Sequence, residues 1–289
     1  MKKYIYQVDQ AAQDSPAKLL RAVGRSKRVL EVGCASGVQT RILAENLECK
    51  VTGIEIDPAA AAEAAKFCER VIVGDLESNE VFASLGSERF DVITIADVLE
   101  HLRDPSAALK KLKPHLDATG YVLASIPNVV HAGLVLQMVH GRFDYRPYGL
   151  LDDTHLRFFT LKSVLRLFEE SGLTITDIDR VIRSVESTEF AMHRATPDEM
   201  PLLDFMRQNN PEWQTYQFIV RAVASPVEGA LQTYGQLETQ DRLKDTELTN
   251  KVLAKQVTTL QNQIAWMESR LPYRMLRRLK RWFAPRATA

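Results

Sequence analysis

The chain has 289 residues with 37 basic and 37 acidic side chains, so its formal net charge is zero. Six of the basic residues and no acidic residue fall in 272–289, which leaves the rest of the chain at −6 and excludes a catalytic region that grips nucleic-acid phosphates. No apolar run approaches the ~20 residues of a membrane span, and the three cysteines lack the spacing of a metal site or a disulfide framework.

Two helices and one strand are predicted at the start of the chain. The first helix begins at Ser15, whose hydroxyl is the expected N-cap, and Pro16 occupies the first helical position. Residues 28–32 have the pattern of a buried strand, and residues 39–46 have that of a helix. A glycine turn joins this strand to this helix, which directs backbone N–H groups and a helix N-terminus toward a ligand.

The residues of the glycine turn indicate which ligand it binds. A dinucleotide fingerprint that starts at Gly33 requires glycine at position 35 and glycine or alanine at position 38, but the chain has Ala35 and Val38. A pyrophosphate site is therefore excluded. The pattern that remains, Glu31-x-Gly33-x-x-x-Gly37, resembles the first motif of class I S-adenosylmethionine-dependent methyltransferases.

Four more strands follow at the intervals of that family. They are predicted at 51–56, 71–76, 90–97 and 120–128. The first of them ends near Glu55, and a carboxylate about 20 residues past the glycine turn suits a ribose diol, because it can accept from both hydroxyls. The next ends at Asp75, which the resemblance places near the adenine amino group. The predicted fold is therefore α/β, with a Rossmann-like class I methyltransferase sheet that is parallel except for one antiparallel edge strand.

The resemblance implies an enzyme that uses S-adenosylmethionine as its cofactor. The cofactor-binding residues that it implies are Glu31, Gly33, Ala35, Gly37, Glu55, Ile56, Asp75, Leu76, Ala96 and Asp97. The methyl group is transferred in line to a nucleophile, so most of the acceleration comes from positioning the acceptor.

A hydroxyl acceptor is a weak nucleophile, and a nearby base should accelerate its methylation by ~10²–10⁴-fold. Three histidines are candidates for this base. His101 follows the fourth strand, His131 follows the fifth, and His155 lies where a neighbouring carboxylate could orient its ring. Each of the three could instead be structural, and Asp97 could also serve as the base. No metal ion is predicted.

Residues 129–160 are predicted to be an insertion beyond the carboxyl end of the sheet, where open α/β folds bind their ligands. The insertion is rich in aromatic, acidic and arginine side chains, which suit a sugar. Its motifs resemble those of methyltransferases of bacterial surface-polysaccharide biosynthesis, so the expected acceptor is a sugar hydroxyl of a glycan or its precursor. The expected substrate contacts are Asn128, Asp152, Asp153 and Arg157.

Two alternatives to a glycan methyltransferase remain open. One is the methylation of a lipid-soluble small molecule such as a quinone precursor. The other belongs to a different functional class, namely a coiled-coil scaffold for glycan-assembly enzymes whose methyltransferase domain is not catalytic. Intact glycines and acids in the cofactor motifs disfavour the scaffold.

The methyltransferase domain is predicted to span residues 1–226 and to end with one helix, a second helical excursion and two antiparallel strands. The helices are predicted at 161–171, stopped by Gly172, and at 198–208, and the strands at 173–182 and 214–224.

Residues 227–271 are predicted to form a coiled coil, because apolar residues alternate at spacings of three and four over four heptads. The two sets of heptad positions are Leu243, Asn250, Val257, Ile264 and Leu271, and Thr246, Leu253, Leu260 and Met267. Branched residues and one Asn in the first set, with Leu in the second, favour a parallel homodimer. The alternative is an amphipathic helix that folds back on its own domain.

Residues 272–289 form a basic tail in which Trp282 and Phe283 share an apolar face with leucines. This composition suits the surface of an anionic membrane, where each basic residue contributes ~1 kcal/mol. A nucleic-acid-binding or fully solvated tail is the alternative. The expected location of the protein is cytoplasmic, peripheral on the inner face of the cell membrane.

Overall fold

The computed structural model describes residues 9–190, 198–224, 251, 253–263 and 265. The chain divides into two units, of which the first ends at Tyr234 and the second begins at Gly235. The predicted boundary between domains, after residue 226, lies outside the described residues, as do residues 227–250 and 266–289.

Seven strands form one sheet in the first unit. They are β1 (Arg28–Val32), β2 (Lys50–Glu55), β3 (Arg70–Val73), β4 (Phe90–Ala96), β5 (Leu116–Pro127), β6 (Thr174–Ile182) and β7 (Thr215–Val223). Their order across the sheet is β3-β2-β1-β4-β5-β7-β6. Strands β1 to β5 pair in parallel, whereas β7 runs antiparallel to both β5 and β6. The predicted Rossmann-like sheet is confirmed, with the antiparallel strand lying between β5 and β6.

Eight α-helices accompany these strands among the residues that the structure describes in the first unit. They are α1 (Ser15–Val23), α2 (Val38–Arg41), α3 (Pro58–Ala64), α4 (Asn79–Leu85), α5 (Pro105–Leu112), α6 (Ala132–Val139), α7 (Leu161–Glu170) and α8 (Met200–Asn209). Residues such as Val29, Leu30 and Ile93 in the central strands are buried, as expected where both faces of a parallel sheet are covered. Helix α6 forms within the predicted insertion.

Two helix starts differ in detail from the sequence-based expectation. The N-cap of α1 is Asp14, whose side chain accepts from the Ala17 N–H, and Ser15 is a buried residue of the first turn. Both residue types are good caps, so only the backbone geometry distinguishes them. The predicted helix 39–46 begins at Val38 and continues beyond α2 as a π-helical turn, Ile42–Asn46.

The register of the sheet brings the carboxyl ends of four strands to one edge. Val32 of β1 lies opposite Ile54 of β2 and Ile95 of β4, and Ile54 lies opposite Ile72 of β3. The turns that follow these strands are therefore neighbours, and they carry the acids and glycines of the predicted cofactor motifs. This edge is where ligands bind in open α/β sheets.

In the second unit, the described residues 251, 253–263 and 265 are helical. Three predicted heptad positions, Leu253, Val257 and Leu260, lie on this helix and are about half exposed. Their pairing in a coiled coil stays a prediction. The remaining heptad positions and the basic tail lie outside the described residues. Within the described part of the chain, no helix has the length and apolarity needed to cross a membrane.

Candidate active site

A cavity of about 630 Å³ opens at the carboxyl edge of β1 to β4. This volume is within the range of small-molecule sites. Of the ten residues predicted to bind the cofactor, the structure brings nine to its wall: Glu31, Gly33, Ala35, Glu55, Ile56, Asp75, Leu76, Ala96 and Asp97. Gly37 is not part of the wall but supports the turn that forms it.

The glycine turn between β1 and α2 has a backbone that few side chains would permit. Gly33 and Gly37 both have positive φ angles, 73° and 82°. A Cβ at Gly33 would lie 2.7 Å from the Val98 side chain, and one at Gly37 would lie 2.8 Å from the Ala64 Cα. The motif glycines are therefore required both by the backbone conformation and by the close approach of the turn after β4 and of helix α3.

Glu55 at the end of β2 holds the turn in place. Its Oε2 accepts from the Ala35 N–H at 2.8 Å, and its Oε1 accepts from the Asp57 N–H at 2.9 Å. A carboxylate has about four acceptor positions, so two backbone donors leave room for two hydroxyls. Ile56, which is mostly exposed, presents an apolar surface beside this carboxylate. The Glu55 carboxylate suits a ribose diol, and the apolar side chain of Ile56 suits a flat base.

Glu31 in β1 is a buried residue of the same cavity wall. The Thr40 hydroxyl donates to its Oε2 at 2.6 Å. Burial raises the pKa of Glu31 to about 7, although the hydrogen bond from Thr40 lowers it. Five carboxylates, including that of Glu31, line the cavity: Glu31, Glu55, Asp75, Glu77 and Asp97. This charge fits S-adenosylmethionine, whose sulfonium and ammonium groups are cationic.

Asp97 connects three strands at the cavity wall. Its Oδ1 accepts from the Ser125 hydroxyl of β5 at 2.8 Å and from the Gln217 side-chain amide of β7 at 2.7 Å. Its φ is 52°, in the left-handed region that residues other than glycine seldom adopt. Partial removal from water raises the pKa of Asp97, whereas the Ser125 hydrogen bond and the charge of His101 lower it.

Of the three candidate histidines, His101 lines the cavity. Its Nδ1 lies 3.2 Å from the Thr154 carbonyl oxygen and 3.1 Å from the Thr154 hydroxyl. Because a carbonyl oxygen can only accept, the proton is assigned to Nδ1, and Nε2 keeps its lone pair. Nε2 has no hydrogen-bond partner among the described residues. His101 can therefore act as a base on a molecule in the cavity.

His155 lies behind His101, in contact with its ring rather than with the cavity. The two rings meet edge to face, with centroids 4.8 Å apart. His155 Nε2 lies 4.0 Å from Glu100 Oε1, whereas the neighbouring Asp153 is exposed. Glu100, His101 and His155 each offer one ligand atom within 4.8 Å of the others, a grouping that the sequence spacing did not indicate.

Glu100 is a buried acid with an unusual environment. Its Oε2 has no hydrogen-bond partner in the part of the chain that the structure describes. Burial raises the pKa of Glu100 well above its usual range, and the negative charge of Asp97 adds to the effect. Its backbone carbonyl accepts from the Leu156 and Arg157 N–H groups at 2.8 and 2.9 Å. The residue thus ties the insertion to the turn after β4.

His131 and Asn128 lie at the end of β5 and are fully buried. His131 is the N-cap of α6, where Nδ1 accepts from the Gly133 N–H at 3.1 Å and Nε2 donates to the Arg183 carbonyl at 2.9 Å. The Asn128 amide donates to the carbonyls of Glu212 and Thr215. Neither side chain lines the cavity. Asn128 thus holds the start of the insertion to the beginning of β7, and His131 holds it to the residue that follows β6.

The other predicted substrate contacts also turn away from the cavity. Asp152 accepts from the N–H and the hydroxyl of Thr154 at 2.9 and 2.6 Å. The Arg157 guanidinium donates to the Arg103 carbonyl through Nε at 3.0 Å, and Asp153 is exposed. The insertion instead reaches the cavity through Thr154 and Leu156.

Further wall residues had no clear signal in the sequence. They are Val32, Cys34, Ser36, Val38, Gln39, Ile54, Gly74, Glu77, Val98, Leu102, Arg103, Thr154 and Leu156. Several of them are next to a predicted residue in the sequence, so the turns after the strands were the signal that could have indicated them. Arg103, Thr154 and Leu156 depend on how the insertion packs, which no local pattern encodes.

Comparison with known proteins identifies the family. Residues 4–178 match a family model described as a methyltransferase domain. The ubiquinone biosynthesis O-methyltransferase of Aeromonas salmonicida is 25% identical over 186 residues, which covers 63% of this chain and 76% of that protein. The protein of the same description from Pasteurella multocida is 28% identical over 166 residues, or 53% of this chain and 67% of that one.

A solved structure agrees in fold alone. The [4+2]-cyclase SpnF superimposes with a TM-score of 0.50 and is 16% identical in sequence. The superposition covers 77% of this chain and 86% of that one. The family match spans more than half of the chain, and its motifs are the ones that form the acid-lined cavity. The chain therefore belongs to the methyltransferase-domain family and is an S-adenosylmethionine-dependent methyltransferase.

Proposed function

We propose that this methyltransferase methylates a hydroxyl group of an aromatic, lipid-soluble small molecule of the quinone-precursor class. The observation that carries the proposal is the composition of the cavity wall beyond the cofactor motifs. Val98, Leu102 and Leu156 give it an apolar surface, and His101 adds one base. Arg103 and Thr154 belong to the same part of the wall. An apolar surface with a few placed polar groups suits an aromatic ring that carries a hydroxyl.

The polar side chains of the insertion, which favoured a sugar in the sequence, are bound within the protein. Asp152 accepts from Thr154, and the Arg157 guanidinium donates to a backbone carbonyl. Arg146 donates to the Glu189 carbonyl at 2.6 Å. Side chains held in this way are not available to many sugar hydroxyls. The names of the relatives, ubiquinone biosynthesis O-methyltransferases, support the same choice.

His101 is the proposed general base. When bound, S-adenosylmethionine supplies an electrophilic methyl group on its sulfonium. Nε2 of His101 accepts the proton of the acceptor hydroxyl, while Thr154 fixes the ring through Nδ1. The apolar side chains of Val98, Leu102 and Leu156 would hold the ring of the acceptor so that its hydroxyl faces the methyl group.

The first experiment is a calorimetric titration with S-adenosylmethionine and S-adenosylhomocysteine, alongside a Glu55→Ala variant. Micromolar binding that is lost in the variant supports the cofactor site. Methyl transfer from labelled cofactor is then compared between a prenylated catechol and a nucleotide-linked hexose. Transfer to the catechol is expected, and transfer to the hexose alone contradicts the proposal.

The role of His101 is tested with His101→Gln, which should lower kcat by ~10²–10⁴-fold with cofactor affinity unchanged. His140→Gln is the matched control, because His140 joins α6 to α8 outside the cavity wall. An unchanged kcat in His101→Gln contradicts the assignment of the base.

A sugar hydroxyl is the second candidate acceptor, and one observation favours it. Phe143, Tyr145 and Tyr148 of the insertion are exposed, and aromatic faces of this kind bind the C–H faces of sugars. The hexose arm of the same assay tests this alternative directly.

The second unit is proposed to form a parallel homodimer, on the basis of its heptad pattern. The basic tail is proposed to hold the dimer on an anionic membrane surface, which would bring the enzyme to lipid-soluble substrates. Sedimentation of the full chain with and without phosphatidylglycerol vesicles tests both. A monomer that does not cosediment with the vesicles contradicts both.

A further inference from the structure

Two of the three cysteines meet over the middle of β2. Cys34 follows β1 in the glycine turn, and Cys68 follows α3. A Cβ placed at Gly53 of β2 would lie 2.7 Å from Cys34 Sγ and 3.2 Å from Cys68 Sγ. The first of these distances is too short for a real side chain, so the glycine is what makes room for the two sulfurs. Both thiols are free in this structure.

The two thiols differ in exposure and in their surroundings. Cys34 is buried and lines the cofactor cavity, whereas Cys68 is only partly buried. Contact with the Cys68 thiol raises the pKa of Cys34 far above its ordinary value, and burial and the charges of Glu31 and Glu55 raise it further. Cys34 therefore stays a thiol, and Cys68 is the sulfur that an oxidant in solution reaches first.

We propose that Cys34 and Cys68 are a reversible disulfide site that controls cofactor binding, with a hydroperoxide as the oxidant. The Cys68 thiolate attacks the terminal peroxide oxygen, the O–O bond breaks, the leaving oxygen takes a proton, and Cys68 becomes a sulfenic acid. The Cys34 sulfur then attacks the Cys68 sulfur, the S–O bond breaks, and the Cys34 proton leaves with the hydroxide as water. Two thiols and one hydroperoxide thus give one disulfide, one alcohol (water, from hydrogen peroxide) and one water.

The bond is expected to weaken cofactor binding because of where Cys34 lies. A disulfide needs sulfurs about 2.05 Å apart, closer than two thiols in contact, so the Cys34 and Cys68 segments must draw together and the glycine turn that carries Cys34 must shift. The next residue, Ala35, has a φ of 46° and donates its N–H to Glu55. A shift of the turn disturbs this hydrogen bond and thereby the carboxylate that faces the ribose. The inference rests on cofactor binding and not on the identity of the acceptor.

The sequence permits a direct assignment of the bond. Cleavage after lysine and arginine places the three cysteines on separate peptides, 29–41, 42–50 and 67–70. The full-length protein is treated with hydrogen peroxide, alkylated and digested without reductant. Mass spectrometry is expected to find peptide 29–41 linked to peptide 67–70. Calorimetry is expected to find affinity for S-adenosylmethionine at least tenfold lower, with recovery after dithiothreitol.

Matched variants separate the disulfide from other oxidation. Cys68→Ser and Cys68→Ala should bind the cofactor as the reduced wild type does and should not respond to peroxide. Cys49→Ala should keep the response, because the Cys49 thiol contacts the Gly24 and Leu47 carbonyls instead. No linked peptide, a link that includes 42–50, or a link without a change in affinity overturns the proposal. A reduced wild type that does not bind the cofactor contradicts the cofactor site itself, whatever the peptides show.

Discussion

Glu55 Oε2 and the Ala35 N–H are joined by a hydrogen bond of 2.8 Å that spans 20 residues of sequence. The same carboxylate accepts from Asp57 N–H through its other oxygen. Each oxygen therefore faces a backbone donor. A glutamine at this position would have to point its amide NH₂ at one of the two N–H groups, so Glu55→Gln is not a conservative substitution here.

We expect Glu55→Gln to lower the affinity for S-adenosylmethionine at least tenfold and the free energy of unfolding by about 1 kcal/mol, the cost of a partly buried donor left without a partner. Calorimetry and urea denaturation measure the two effects. Glu45→Gln, an exposed glutamate in the π-helical turn after α2, is the control and should change neither. Equal behaviour of the two variants would contradict the role given to Glu55.

The parts of the site that the sequence predicted lie at the ends of parallel strands. Once the strands are placed, the parallel register fixes where Gly33, Glu55, Asp75 and Asp97 lie, because all four follow strands that share one edge. Residue types and spacing were sufficient for this. The same reasoning predicted the order of elements through β7.

The insertion shows what spacing could not predict. Asp152 and Arg157 are polar residues in a loop at the correct edge of the sheet, yet their side chains bind Thr154 and the Arg103 carbonyl. Leu156 directly follows His155. No pattern in the sequence distinguishes it from its neighbours, yet it is the residue that reaches the cavity. A loop side chain points where its contacts direct it, and for Arg157 and Leu156 those contacts come from Arg103 and Glu100, more than 50 positions away.

The raised pKa of Glu31 predicts that cofactor binding is coupled to the release of a proton. With a pKa of about 7, Glu31 is roughly half protonated at pH 7 in the free enzyme. A cationic cofactor favours the ionised form, so binding should release about half a proton at that pH. Calorimetric titrations in buffers of different ionisation enthalpy measure the release.

Glu31→Gln should remove this part of the proton release, because the amide does not titrate. Thr40→Val removes the hydrogen bond to Glu31 and should therefore raise the pKa of Glu31. The proton release on cofactor binding at pH 7 should then increase. The same proton release in the wild type and in Glu31→Gln would assign the coupling to another group.

Substitution of His131 is expected to lower stability without changing cofactor binding. Its two ring nitrogens serve the Gly133 N–H and the Arg183 carbonyl, so His131→Ala leaves both without a partner and opens a cavity. We expect a loss of about 2–4 kcal/mol in the free energy of unfolding, with cofactor affinity unchanged in the folded protein. His131→Asn keeps an N-cap acceptor for α6 and should recover part of the loss. A stable His131→Ala protein that has lost cofactor binding would place His131 in the site.

Glu100 predicts a pH dependence of stability with a definite sign. Its pKa in the folded protein is raised by burial and by Asp97, whereas an unfolded glutamate titrates near pH 4.3. Between these two values the native state binds more protons than the unfolded state, so this residue makes the protein less stable as pH rises, by at most about 1.4 kcal/mol per pH unit.

Glu100→Gln removes the titrating group. The free energy of unfolding of the variant should therefore rise relative to the wild type between pH 5 and pH 8. Urea denaturation at pH 5, 6, 7 and 8 measures this difference, and Glu170→Gln, an exposed glutamate at the end of α7, should show no such trend. A difference that does not depend on pH would mean that Glu100 is ionised in the folded protein, although its Oε2 has no hydrogen-bond partner among the described residues.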